Sequence, residues 1–289
     1  MLKEKSSTNK FIDVLKALYP FIVWQALSIV AVMAASFLIA ILTGSVDKVT
    51  EYVKDNFLMI SVVGYVLTLP IFIVIAYFRT KWAKKDGTYE KYKSVNGAKY
   101  LFILPLAFFG MYAGNILVSL IERVLPESLQ HSYDDVASLI YGSNFVVQII
   151  AAAVLGPIIE ELCFRYFLYG SLRKAFGIIP AAIATGVVFG ITHGNLAQFL
   201  YAFLLSMLFV FVYEKYKTIA APIIAHGFSN FVGILISNLA SSGSQEQAAK
   251  VASNDSIAVA ASLFVLGFSV AVIAIMVYVI NRFVKPSKI

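Results

Sequence analysis

Charge is what this sequence has least of. Only 13% of its 289 residues are Asp, Glu, Lys or Arg, against 60% hydrophobic residues and a mean hydropathy of +0.83. A soluble domain carries about a quarter charged residues, so a water-soluble globular fold is excluded. Cysteine is nearly absent: Cys163 stands alone, which rules out an internal disulfide framework. Histidine occurs three times, at positions 131, 193 and 226. No repeat of fixed period is visible, and no paired halves suggest the inverted repeat of many transporters. The H-E-x-x-H signature of zinc peptidases is missing too.

What remains is apolar. Windows of roughly 20 apolar residues, the length that crosses a hydrocarbon core, recur along the chain. We expect an all-α, polytopic integral membrane bundle forming a single domain over residues 1–289. Its spans are expected near 17–42, 57–78, 100–121, 143–172, 178–193, 197–213, 219–238 and 257–281. The first apolar run lacks a small-residue cleavage site and reads as a retained span rather than a signal peptide. Eighteen Lys and Arg residues fall before the first span, in alternate loops and at the C-terminus, and four fall in the remaining loops. The positive-inside rule then places both termini in the cytoplasm of a cell-membrane protein. The net charge of +7 thus encodes topology and does not point to nucleic acid. The basic loop 79–99 reads as stop-transfer charge, with anionic lipid headgroups as the alternative partner. The polar segment 241–256 and the loop holding His131 read as solvated outer loops. "GMYAG", with Gly110 and Gly114, has the spacing for close helix contact in lipid. The fifth and sixth spans are short, so the turn joining them is expected to lie below the membrane surface.

Against this background a few ionisable groups fall well inside spans: Glu160, Glu161, Arg165, His193 and His226. Each costs several kcal/mol to bury in a bilayer, so such groups face a protein interior or a wet cavity and mark function. Glu161 and Arg165 are four apart, on one helical face, with the acid N-terminal to the base. Glu160 is rotated by about 100° from Glu161, so the two carboxylates occupy different environments. Phe189 precedes His193 by four, and His226 precedes Asn230 by four, each pair sharing a helical face. Structural roles compete with catalytic ones. Glu161 with Arg165 reads first as an ion pair that fixes packing, Asn230 also suits interhelical glue, and Cys163 reads as an apolar filler. Pro157 and Pro222, close before Glu160 and His226, punctuate their helices or shape a cavity.

These three motifs, Glu160-Glu161-x-x-x-Arg165, Phe189-x-x-x-His193 and His226-x-x-x-Asn230, resemble in their order the signature of the CPBP family. That family comprises type II CAAX prenyl endopeptidases and the bacteriocin-processing or self-immunity (Abi) proteins. The motif region covers about 145–235. The resemblance implies an intramembrane endopeptidase of eight helices with Glu160, Glu161, Arg165, His193, His226 and Asn230 around a water-filled cavity. Its partners would be the lipid bilayer and a membrane-associated peptide or protein substrate. The Lys- and Ile-rich composition is compatible with a bacterium, where protein prenylation is not expected, which favours a peptide over a prenylated substrate.

The residue chemistry fits that class. Amide hydrolysis needs a base to activate water and donors to stabilise an oxyanion. By motif order Glu160 is the base, His193 helps to hold the water, and His226 with Asn230 donates to the oxyanion. A second arrangement stays open, in which Glu160, His193 and His226 ligate zinc with an open fourth position. The competing functions are a non-catalytic scaffold or regulator of the same family and, from a different class, a transporter.

Overall fold

The computed structural model describes residues 10–123, 139–140, 142–242 and 255–289. His131 and most of the polar segment 241–256 lie outside the described residues. The helices are α1 (Lys10–Thr43), α2 (Val46–Asp55), α3 (Phe57–Lys85), α4 (Ile103–Glu122), α5 (Phe145–Phe176), α6 (Ile178–Ile191), α7 (Leu196–Tyr216), α8 (Ala220–Ser242) and α9 (Asp255–Phe283). A tight 3-10 turn, Gly97–Phe102, leads into α4. Among the described residues no strand forms beyond an isolated antiparallel bridge between Tyr92 and Lys288.

Seven of these helices are long and apolar enough to cross a membrane: α1, α3, α4, α5, α7, α8 and α9. Their outward faces are apolar, with Phe37 and Phe264 exposing 70% and 76% of their surface. Lipid is the solvent that tolerates such faces, and closed helices are the structures that satisfy their backbones in it. The chain is a multi-pass integral membrane protein. The expected fifth span is α6, whose 14 residues reach about 21 Å, short of a core about 30 Å thick. The sixth span is not short. Expected over 197–213, α7 runs 21 residues to Tyr216, where Lys217 adopts a left-handed conformation (φ 56°) and pairs with Glu214 at 2.7 Å. The amphipathic α2 was not expected; it buries none of its residues.

The chain divides into two compact units. The first comprises the described residues of Met1–Tyr92, Ala137–Thr185 and Lys288–Ile289. Within it α1 packs on α3 and on the second half of α5. Phe21 and Trp24 of α1 meet the Phe164 ring at centroid distances of 6.0 and 6.1 Å, and Phe72 of α3 meets Phe167 edge-on at 5.2 Å.

The second unit comprises the described residues of Lys93–Val136 and Gly186–Ser287. Here α4 is central and packs against α7, α8 and α9. Ile103, Leu106, Phe209, Val212, Ala225 and Ile280 lie in its buried core. The glycines of "GMYAG" face α7 directly. A Cβ at Gly110 would sit 2.5 Å from Leu208 Cδ1, and one at Gly114 2.6 Å from Tyr201 Cδ2. Close packing is therefore the use of that spacing.

Candidate active site

The first group of motif residues lies on α5, which is not a uniform α-helix. Two wide π-type stretches, Ile149–Leu155 and Leu162–Tyr169, flank a narrow α-helical segment, Gly156–Glu161, that carries both glutamates. In the wide stretches the Gly156 N–H bonds the Ala151 carbonyl and the Gly170 N–H bonds the Arg165 carbonyl, each five residues back. Pro157 is the second residue of the narrow segment. Its ring would collide with the carbonyl four residues earlier in a regular helix, and the wider turn before it relieves that collision. Wide turns of this kind recur at functional sites because they re-aim side chains.

The two glutamates have different surroundings. Glu161 Oε1 lies 2.9 Å from Arg165 Nη1, and both side chains are 0% exposed. Glu160, one position earlier, is partly accessible. The wide turn also leaves Glu160 within electrostatic reach of Arg165, five residues on. Cys163 is buried beside them, as an apolar filler would be.

A neighbour that the sequence did not single out holds the second wide stretch. Arg79, expected as loop charge, turns inward from the end of α3. Its Nη1 donates to the Phe167 carbonyl at 3.0 Å, and the guanidinium lies 5.1 Å from the centroid of the Tyr166 ring. The Tyr166 hydroxyl in turn bonds Thr80 at 2.8 Å. A Cβ at Gly170 would stand 3.0 Å from Arg79 Nη2, so a glycine there keeps the approach open.

The second group lies around Phe189. Helix α6 ends at Ile191, and the chain turns through Thr192, His193 and Gly194, the glycine at φ +84° where a side chain would strain. Asn195 then caps α7 by accepting from the Gln198 N–H at 2.8 Å. His193 Nδ1 lies 2.8 Å from the Phe189 carbonyl. A carbonyl only accepts, so Nδ1 carries a proton and Nε2 is the ring nitrogen left to face other partners. The Phe189 ring meets both histidines edge-on, His193 at 4.8 Å and His226 at 5.9 Å. On its other side His226 stacks on Phe209 at 4.8 Å with the planes 21° apart. Phe189, Phe209 and His226 are all buried, at 2%, 1% and 5% exposure. The phenylalanine of F-x-x-x-H is thus the wedge that spaces two imidazoles. Phe209, invisible in the sequence, completes the sandwich. Asn230 lies one turn beyond His226 on α8 and is partly accessible.

Among the described residues, no three His, Cys, Asp or Glu side chains are gathered as a metal ion requires.

Residues 142–232 match the Rce1-like family, described as type II CAAX prenyl endopeptidase Rce1-like. Through this segment, which holds all three motifs, the chain is similar to that family of membrane endopeptidases. It is similar to the "Putative membrane peptidase YdiL" of Bacillus subtilis (strain 168), 28% identical over 176 residues, covering 61% of this chain and 70% of that protein. It is also similar to the "Membrane-embedded CAAX protease MroQ" of Staphylococcus aureus (strain USA300), 25% identical over 138 residues, covering 45% of this chain and 56% of that protein. No solved structure matches the chain.

Proposed function

We propose that this protein hydrolyses a peptide bond in a membrane-associated peptide or protein, with Glu160 activating the water without a metal. The observation that carries this reading is the contrast between adjacent carboxylates. Glu161 is fully buried and paired with Arg165 at 2.9 Å, whereas Glu160 is partly accessible. A base must meet water, and only Glu160 of the pair is placed to do so.

In the proposed step Glu160 takes a proton from water as the water oxygen attacks the scissile carbonyl carbon. By motif order we assign His193 to holding the water and the N–H donors of His226 and Asn230 to the tetrahedral oxyanion. Glu160 then passes its proton to the leaving nitrogen, the C–N bond breaks, and a carboxylate and an amine depart. Glu161 and Arg165 hold the helix and touch no reacting atom.

The test is incubation of the purified full chain with a library of C-terminal and leader peptides, with and without prenylation, read by mass spectrometry. Cleavage by wild type that falls by roughly a hundredfold or more in Glu160→Gln supports the reading. Cleavage retained by Glu160→Gln overturns it.

A further inference from the structure

Gly156 opens the narrow segment of α5, and the space where its side chain would stand is ringed by oxygens. A Cβ there would lie 2.8 Å from the Ala151 carbonyl oxygen, 3.5 Å from the Tyr65 hydroxyl oxygen and 3.8 Å from Glu160 Oε1. Tyr65 comes from α3, outside the motif region, and its phenol faces the same small opening as the Glu160 carboxylate. The two groups are within electrostatic reach of each other. The tyrosine ring is otherwise set against Trp24 of α1, at a centroid distance of 6.4 Å. A phenol O–H can donate and an ionised carboxylate can only accept. Two such oxygens facing a common point suit a hydrogen bond carried by a water.

We propose that Tyr65 is a positioning residue for Glu160, its hydroxyl orienting the carboxylate across the gap that Gly156 leaves open. Gly156 is part of the same device. A methyl group at 156 would press on the Ala151 carbonyl at 2.8 Å and fill the approach to both oxygens. Glu161 and Arg165 pair at 2.9 Å on the same helix as Glu160. Tyr65 is a neighbour from a different helix whose hydroxyl can fix the direction of the Glu160 carboxylate. This inference rests on the reading of Glu160 as the base, and it makes the site depend on a residue 95 positions away from that base in sequence.

The experiment uses purified full-length protein in lipid nanodiscs at one fixed pH. The infrared carboxyl band of Glu160 is assigned by its loss in Glu160→Gln and then compared between wild type and Tyr65→Phe. A shift of that band in Tyr65→Phe, which lacks only the hydroxyl, supports the proposal, and an unshifted band overturns it. On a cleaved peptide, Tyr65→Phe is expected to lower kcat by about tenfold or more with KM little changed. It should add no further loss in a Glu160→Gln background, because groups that act as a unit are non-additive. A loss through KM alone, or a full additive loss in that background, also overturns it. If Glu160→Gln cleaves normally, the base assignment fails, while the infrared result still decides whether Tyr65 contacts Glu160.

Discussion

Replacing Glu161 by Gln leaves the shape of the side chain and removes its charge. The consequence is set by where the pair sits. Both side chains are 0% exposed, the contact is 2.9 Å, and Arg165 ranks among the largest fully buried side chains of the chain. Breaking a buried pair while leaving its partner charged costs on the order of 3–5 kcal/mol. For a protein of this size that corresponds to a fall in Tm on the order of 10 °C. Glu160→Gln carries no such cost, because Glu160 is partly accessible and a carboxamide keeps its hydrogen bonding. The assay is thermal unfolding of the purified variants in detergent, with cleavage measured in parallel. Glu161→Gln should melt early, Glu160→Gln should melt near wild type and be inactive, and replacing Glu161 and Arg165 together by apolar residues should recover part of the lost stability. A Glu160→Gln protein that unfolds, beside a Glu161→Gln protein that is stable and inactive, would reverse the two roles.

Reporter fusions near residue 10, within 79–99 and after Arg282 should all read cytoplasmic, as the basic residues dictate; opposite sides for the first and last of these would refute the topology. Cleavage should survive chelators, since the sequence holds no H-E-x-x-H to anchor a metal, and loss on metal removal with recovery on stoichiometric zinc would reassign Glu160, His193 and His226 as ligands. Phe189→Ala should cost about 3–5 kcal/mol through the cavity it leaves and should free both imidazoles, read as a lower Tm and a loss of cleavage larger than that of Phe209→Leu. Glu90, hydrogen-bonded by Lys288 at 2.7 Å, has its pKa held below the ordinary carboxylate value by that bond and then by Tyr92. A carboxyl lowered by folding stabilises above its unfolded pKa and loses that contribution as pH falls through the folded value. The protection of the Ile289 amide, which bonds the Lys91 carbonyl, measured as exchange relative to its intrinsic rate at each pH, should therefore fall below about pH 4, and Glu90→Gln should remove that pH dependence.

How much of this was legible in the sequence follows from what each residue costs in a bilayer. Glu161 and Arg165 could be paired from spacing alone because two charges inside an apolar run are expensive and must answer each other; the structure places them 2.9 Å apart. The F-x-x-x-H and H-x-x-x-N spacings were visible for the same reason, as polar exceptions on an apolar strip. The groups that hold these exceptions in place were not visible. Phe209 stacks on His226, yet the chain has 23 phenylalanines, most of which look like lipid-facing filler. Arg79 read as one of many basic residues at a span end, because nothing local shows that it folds back onto Phe167. The wide turns of α5 escaped as well. A helix that is apolar all round carries no hydrophobic stripe, so nothing in it registers a change from four to five residues between bonded groups. The longer α7 was missed because its last turn is polar and a hydropathy window ends before a helix does. Membrane sequences therefore disclose their buried polar groups more readily than the apolar packing around them. In this chain that packing is Phe189 between two histidines, and Gly156 beside Tyr65 and Glu160.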